Sequence, residues 1–115
     1  NMQYIALIYR TEESDFDPNS DESKGIIEAY GAYTQKIIAS GHFKAGDALM
    51  RSNSATCVQR RDNKISTTDG PFVESKEQLG GYYILDCEDL DDAIKTAADI
   101  PHAALGTVEL RPIVA

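Results

Sequence analysis

Residues 3–9 (QYIALIY) are apolar at both odd and even positions and rich in β-branched and aromatic side chains, which predicts a strand buried on two faces. Residues 81–87 (GYYILDC) repeat the pattern and predict a second central strand. Residues 10–23 are acidic and polar, with Pro18 and several Ser, Asp and Asn, and read as a solvated loop. Over residues 24–40, Ile26, Ile27, Tyr30, Tyr33, Ile37 and Ile38 recur at spacings of three and four, and Gly41 suits a left-handed helix end. Residues 42–50 are strand-like but interrupted by Gly46. Residues 55–61 and 64–68 flank Asp62-Asn63, a pair that tolerates positive φ, and predict a hairpin. Asp89 is placed to cap a helix with Leu90, Ala93, Ile94, Ala97 and Ala98 in one stripe, which Pro101 stops. Residues 107–113 alternate, with Val108 and Leu110 on one side and Thr107, Glu109 and Arg111 on the other.

The order β-α-β, hairpin, β-α-β predicts an α+β, ferredoxin-like sandwich with an inserted β-hairpin. Two helices cover only one face of such a sheet, yet both central strands are apolar on two. The uncovered face calls for a second copy of the chain, giving a homodimer whose sheets face one another across a shared interior. Clefts between the facing sheets are then the place for a small-molecule ligand.

Composition narrows the function classes. A chain of 115 residues makes one domain over 1–115 and excludes a multidomain enzyme. With 42% hydrophobic and 26% charged residues it folds without staples. Nineteen acidic against eleven basic residues leave a net charge of -8, which repels a phosphate backbone, so no nucleic-acid partner is expected. Cys57 and Cys87 fit no metal spacing and no CxxC, so they read as buried free thiols of a reducing, cytoplasmic compartment. No apolar run reaches membrane-span length, no leader pattern is present, and Asn1 before Met2 reads as an added residue. The chain shows no nucleotide-binding glycine loop, metal cluster or nucleophile motif, so no cofactor is expected.

The run DGPFVESKEQLGGYY, residues 69–83, resembles the signature of the DGPF branch of the YCII-related protein family. IALIYR, AGDAL, LDDAIKTAADIP and VELRPI fall in the expected order and extend the resemblance over nearly the whole chain. It implies a dimeric α+β barrel and, since members are often encoded beside or fused to alternative sigma factors, a sigma-factor link. Most members have no established reaction. A related branch includes dehydrochlorinase-type enzymes with a proposed His–Asp site, which is not carried over here. Met50-Arg51-Ser52-Asn53 departs from the proline-containing turn of many relatives.

Several side chains are candidates for chemistry, each with a structural alternative. Asp69 and Gly70 can orient a polar ligand group while Pro71 and Phe72 fix the loop, although such a tetrad also builds a rigid turn. Glu74, Lys76 and Glu77 set a lysine near two carboxylates, suited to proton transfer or simply to a solvated turn. Asp47 on a regular strand shares a side with Phe43, Ala45 and Leu49, where a carboxylate becomes a general base; a bulge at Gly46 instead turns it to water. Glu109 and Arg111 either bind a polar molecule or form an ion pair. His42 and His102 follow helices, whose carbonyl ends favour a cation, and His42 with Asp47 is a candidate acid–base pair. Arg60, Arg61 and Lys64 surround the hairpin tip and suit an acidic partner or plain solvation. Two functions fit: a binder of a small polar metabolite, with cofactor-free lyase or isomerase chemistry by Asp47, Asp69, Glu74 or Lys76, and a non-enzymatic regulatory or interaction protein.

Overall fold

The computed structural model describes residues 1–13 and 16–115, so Ser14 and Asp15 of the predicted loop lie outside the described residues. The elements are β1 (Met2–Thr11), α1 (Asp21–Ala39), β2 (Phe43–Ala48), β3 (Thr56–Arg61), β4 (Lys64–Asp69), β5 (Glu77–Cys87), α2 (Leu90–Ala98) and β6 (Thr107–Pro112). Four strands form one antiparallel sheet in the order β2-β5-β1-β6, while β3 and β4 pair only with each other. This is the ferredoxin-like α+β arrangement, with the hairpin inserted between β2 and β5. Among the described residues no helix is long and apolar enough to cross a membrane.

Local chemistry sets the element ends. Ser20 caps α1 by accepting from the Ser23 N–H at 3.1 Å, so the helix starts three residues before the predicted boundary. It ends where Gly41 adopts φ 83°, letting the His42 N–H reach the Ile37 carbonyl at 2.9 Å. Asp89 caps α2 as expected, accepting from the Asp92 N–H at 2.9 Å. Asp62 and Asn63 take φ 52° and 61°, the two positive values a tight hairpin turn requires.

The core lies between the sheet and the helices, where Tyr4, Ala6, Ile8, Tyr83, Leu85 and Cys87 meet Tyr33, Ile37, Ala93, Ala97 and Ile100. The helix stripes are narrower than the spacing predicts: Ile27 and Ile38 of α1 and Leu90, Ile94 and Ala98 of α2 are exposed, because each helix touches the flat sheet along a single ridge. On the other sheet face Ile5, Leu7, Tyr9, Leu79, Tyr82 and Ile84 are half-buried. The molecule measures 46 × 41 × 19 Å, the short axis being the thickness of one sheet plus one helix layer. Its radius of gyration is 16.0 Å. About 13 Å is usual for a compact chain of this length, and the difference reflects the hairpin, almost every residue of which is exposed.

Candidate functional site

A cavity of about 470 Å³ opens at the foot of the hairpin, lined by Glu12, Ser52, Asp69, Glu74, Lys76 and Gln78 with the intervening Asn53, Gly70, Pro71 and Ser75. Its walls come from four places in the chain: the end of β1, the 3-10 turn Ser52–Ser54, the end of β4 and the start of β5. The turn at residues 69–71 is pinned by the Gly70 N–H donating to the Ala55 carbonyl at 2.7 Å and the Cys57 thiol donating to the Gly70 carbonyl at 3.4 Å. Gly70 sits at φ 100°, a backbone state that a side chain would strain. The Gln78 amide donates to the carbonyls of Val73 and Ser75 at 2.9 and 3.0 Å and clamps the loop holding Glu74 and Lys76. The Met50-Arg51-Ser52-Asn53 stretch leads into that 3-10 turn, and Arg51 is tied to β1's exit by donating to the Glu13 carbonyl at 2.9 Å.

Ser52 donates to the Glu12 carboxylate twice, from its backbone N–H at 2.8 Å and its hydroxyl at 2.5 Å. That hydroxyl bond, above all, holds Glu12 below the usual carboxylate range. Three carboxylates, Glu12, Asp69 and Glu74, and one ammonium, Lys76, line the cavity, and Lys76 forms no ion pair with them among the described residues. Such a surface accepts hydrogen bonds from amine or hydroxyl groups and offers one site for a ligand oxygen anion.

Seven of the ten residues lining the cavity fall within residues 69–78, and the chain matches a known family along almost its whole length. The sequence model of the YCII-related domain covers residues 2–115. The chain belongs to the YCII-related domain family. It is similar to an uncharacterized protein of Rhizobium meliloti (strain 1021), with 30% identity over 114 residues, covering 97% of this chain and 92% of that protein. The family's function is not established by these matches.

In this YCII-related domain only part of the predicted site converges. Asp69, Glu74 and Lys76 line the cavity together. Asp47 does not join them. The β2–β5 register shifts between Phe43 and Ala45, so the bulge falls at Lys44 rather than Gly46, and it sends Phe43 toward the helices while Ala45 and Asp47 face the open side. Gly46 instead makes room for a ring, since a Cβ there would meet Tyr83 at 2.5 Å. Asp47 is exposed and accepts from the Tyr82 hydroxyl at 3.0 Å, an interaction that raises the phenol above its ordinary value. Phe72 is 85% exposed and does not line the cavity. Glu77 turns away to accept from the Thr107 hydroxyl at 3.1 Å, because Gly80 is the extra residue in β5 that breaks the alternation.

The histidines also part from the expected partners. His42 approaches Asp92 rather than Asp47, with Nε2 at 3.0 and 3.1 Å from its carboxylate oxygens and Nδ1 at 2.7 Å from the Ser40 hydroxyl. His102 Nδ1 takes the Tyr30 hydroxyl at 2.6 Å, and burial first, then Arg10, lowers the imidazole's affinity for a proton. Arg111 donates to Glu109 through Nε and Nη2 at 3.1 and 3.0 Å, an exposed pair on β6. Cys57 is only half-buried, unlike the fully buried Cys87. Glu12, Ser52, Tyr82 and Asp92 were not legible as partners from sequence, since no local pattern marks contacts between residues that lie 35 to 50 positions apart, as Tyr82–Asp47, Ser52–Glu12 and His42–Asp92 do.

Proposed function

We propose that this YCII-related domain binds a small polar metabolite bearing amine or hydroxyl groups in the cavity at residues 69–78, as a homodimer. The observation that carries the reading is the convergence of Asp69, Glu74 and Lys76 with Glu12 and Ser52 on one concave surface. The same groups suit cofactor-free general acid–base chemistry of the lyase or isomerase type, with a carboxylate of Asp69 or Glu74 accepting a proton and Lys76 supplying one. The homodimer draws support from the open sheet face, where six large apolar side chains stand half-buried with no covering layer among the described residues. Phe72, Glu77, Asp47, His42, Glu109 and Arg111 do not line the cavity.

A thermal-shift screen against amino and hydroxy metabolites tests the reading, because a ligand selective for the native state raises the melting temperature. Hits should be lost in Glu74→Gln and Asp69→Asn. Hits that persist in both variants would place the binding site elsewhere.

A second reading is a non-enzymatic interaction protein, with a sigma-factor link only as the family resemblance implies, whose contact surface would be the hairpin. Its exposed tip gathers Arg60, Arg61 and Lys64 on a chain of net charge -8, and Val58 and Ile65 stand exposed beside them. Under this reading no metabolite shifts the melting temperature, and Arg60→Glu with Arg61→Glu abolishes a protein contact.

A further inference from the structure

A second cluster lies beyond the cavity, sharing none of its lining residues. His42 follows α1, Cys87 ends β5 and Asp92 stands in the first turn of α2. One ligand atom from each, an imidazole nitrogen, a sulfur and a carboxylate oxygen, all fall within 4.8 Å of one another. A buried free cysteine ordinarily packs as a small hydrophobe among apolar neighbours. This one meets an imidazole and a carboxylate.

We propose that His42 Nε2, Cys87 Sγ and an Asp92 carboxylate oxygen form a three-ligand site for a zinc-type divalent cation, with its fourth position open to the adjoining depression. The donor set of one thiolate, one imidazole and one carboxylate matches the borderline-soft character of Zn²⁺ and fits neither Ca²⁺ nor Mg²⁺, which take oxygen. Tetrahedral zinc holds such ligand atoms roughly 3.3–3.8 Å apart, so small side-chain rotations close the cluster.

The surroundings orient the ligands. His42 Nδ1 lies 2.7 Å from the Ser40 hydroxyl, which in turn donates to the Ile37 carbonyl at 3.2 Å. With Nδ1–H donating into that chain, the Nε2 lone pair is presented to the metal. Asp92 is held by the Glu88 N–H at 3.0 Å. The carbonyl end of α1 adds a field favourable to a cation. The thiol proton of Cys87, and any proton on Nε2, pass to solvent when the ion binds. A depression of about 240 Å³, lined by His42 and Asp92 with Lys36, Ser40, Lys95 and Thr96, gives solvent access to the fourth position.

The test is titration of the purified chain with Co²⁺, followed by optical absorption and by competition with Zn²⁺. The expected result is one equivalent bound, with a thiolate-to-cobalt charge-transfer band and the visible bands of a four-coordinate ion. Cys87→Ser should abolish the charge-transfer band and Cys57→Ser should retain it. His42→Gln and Asp92→Asn, both at half-exposed positions, should each weaken cobalt binding at least about tenfold while circular dichroism stays native. If Cys87→Ser fails to fold, these two variants decide the question. Absence of the charge-transfer band, its survival in Cys87→Ser, or unchanged affinity in both other variants would overturn the site.

Discussion

Leu7→Ala probes the open face of the sheet. Leu7 lies opposite Tyr82 of β5 and Glu109 of β6, on the side the helices do not cover. Leu85, opposite Tyr4 and Phe43, points to the helix side and is completely buried. Truncating a leucine to alanine in a closed core costs about 2.7–5.0 kcal/mol, and Leu85→Ala should lose that much folding stability at every protein concentration. If the open face stays in water, Leu7→Ala leaves the association of two chains unchanged, whatever the loss of a half-buried side chain costs the fold. If a second copy covers it, the partner buries only the part of the half-buried side chain still in water, at most about a third of it, so each chain loses roughly 0.8 kcal/mol. Two-fold symmetry counts that loss twice, giving roughly 1.6 kcal/mol per dimer and a dissociation constant raised about 15-fold. Sedimentation equilibrium over a range of concentrations reads this directly, with denaturant unfolding of Leu85→Ala as the control. A parent chain that sediments as a monomer at every concentration, or a Leu7→Ala dimer as tight as the parent's, would refute the covered face.

Three further outcomes follow from the local geometry. Gly70→Ala forces a side chain into φ 100° and should cost about 1–2 kcal/mol in chemical denaturation while disturbing the turn that carries Asp69. Because Glu12 titrates below its ordinary value in the folded chain, its contribution is present above the unfolded value and is lost as pH falls through the lower folded one; Ser52→Ala removes the largest cause and should reduce that acid-side slope in the pH dependence of stability, the backbone N–H and the nearby arginines keeping the rest. His102 is likewise lowered, from an ordinary 6.5, so its neutral form favours folding and its contribution fades as pH drops below that value; proton NMR should place its midpoint under 6.5, and a midpoint at or above it contradicts the role assigned to burial.

The candidate site was legible only where its residues are neighbours in sequence. Asp69, Glu74 and Lys76 stand in one short segment next to a recognisable turn, and they do share a cavity. For Asp47 the sequence leaves two sides open, strict alternation or a bulge that turns it to water; a bulge does turn it out, but it falls at Lys44 rather than Gly46. Glu77 groups with Glu74 and Lys76 on a charged turn in the sequence, whereas it begins β5 and meets Thr107 of β6, a pairing no local pattern marks. The helix stripes were drawn too wide, since spacing marks every apolar residue near the ridge but not how far a flat sheet reaches around it.

Taken alone, the sequence determined the order of strands and helices, the hairpin turn at Asp62-Asn63, the Asp89 cap and the stop at Gly41, because each depends on side chains within a few positions of one another. Tertiary structure decided which carboxylate meets which partner: Glu12 with Ser52, Asp47 with Tyr82, and Asp92 with His42. Those pairings arise where distant strands and helix ends are brought together by strand register and crossover geometry, and a one-residue bulge is enough to redirect them.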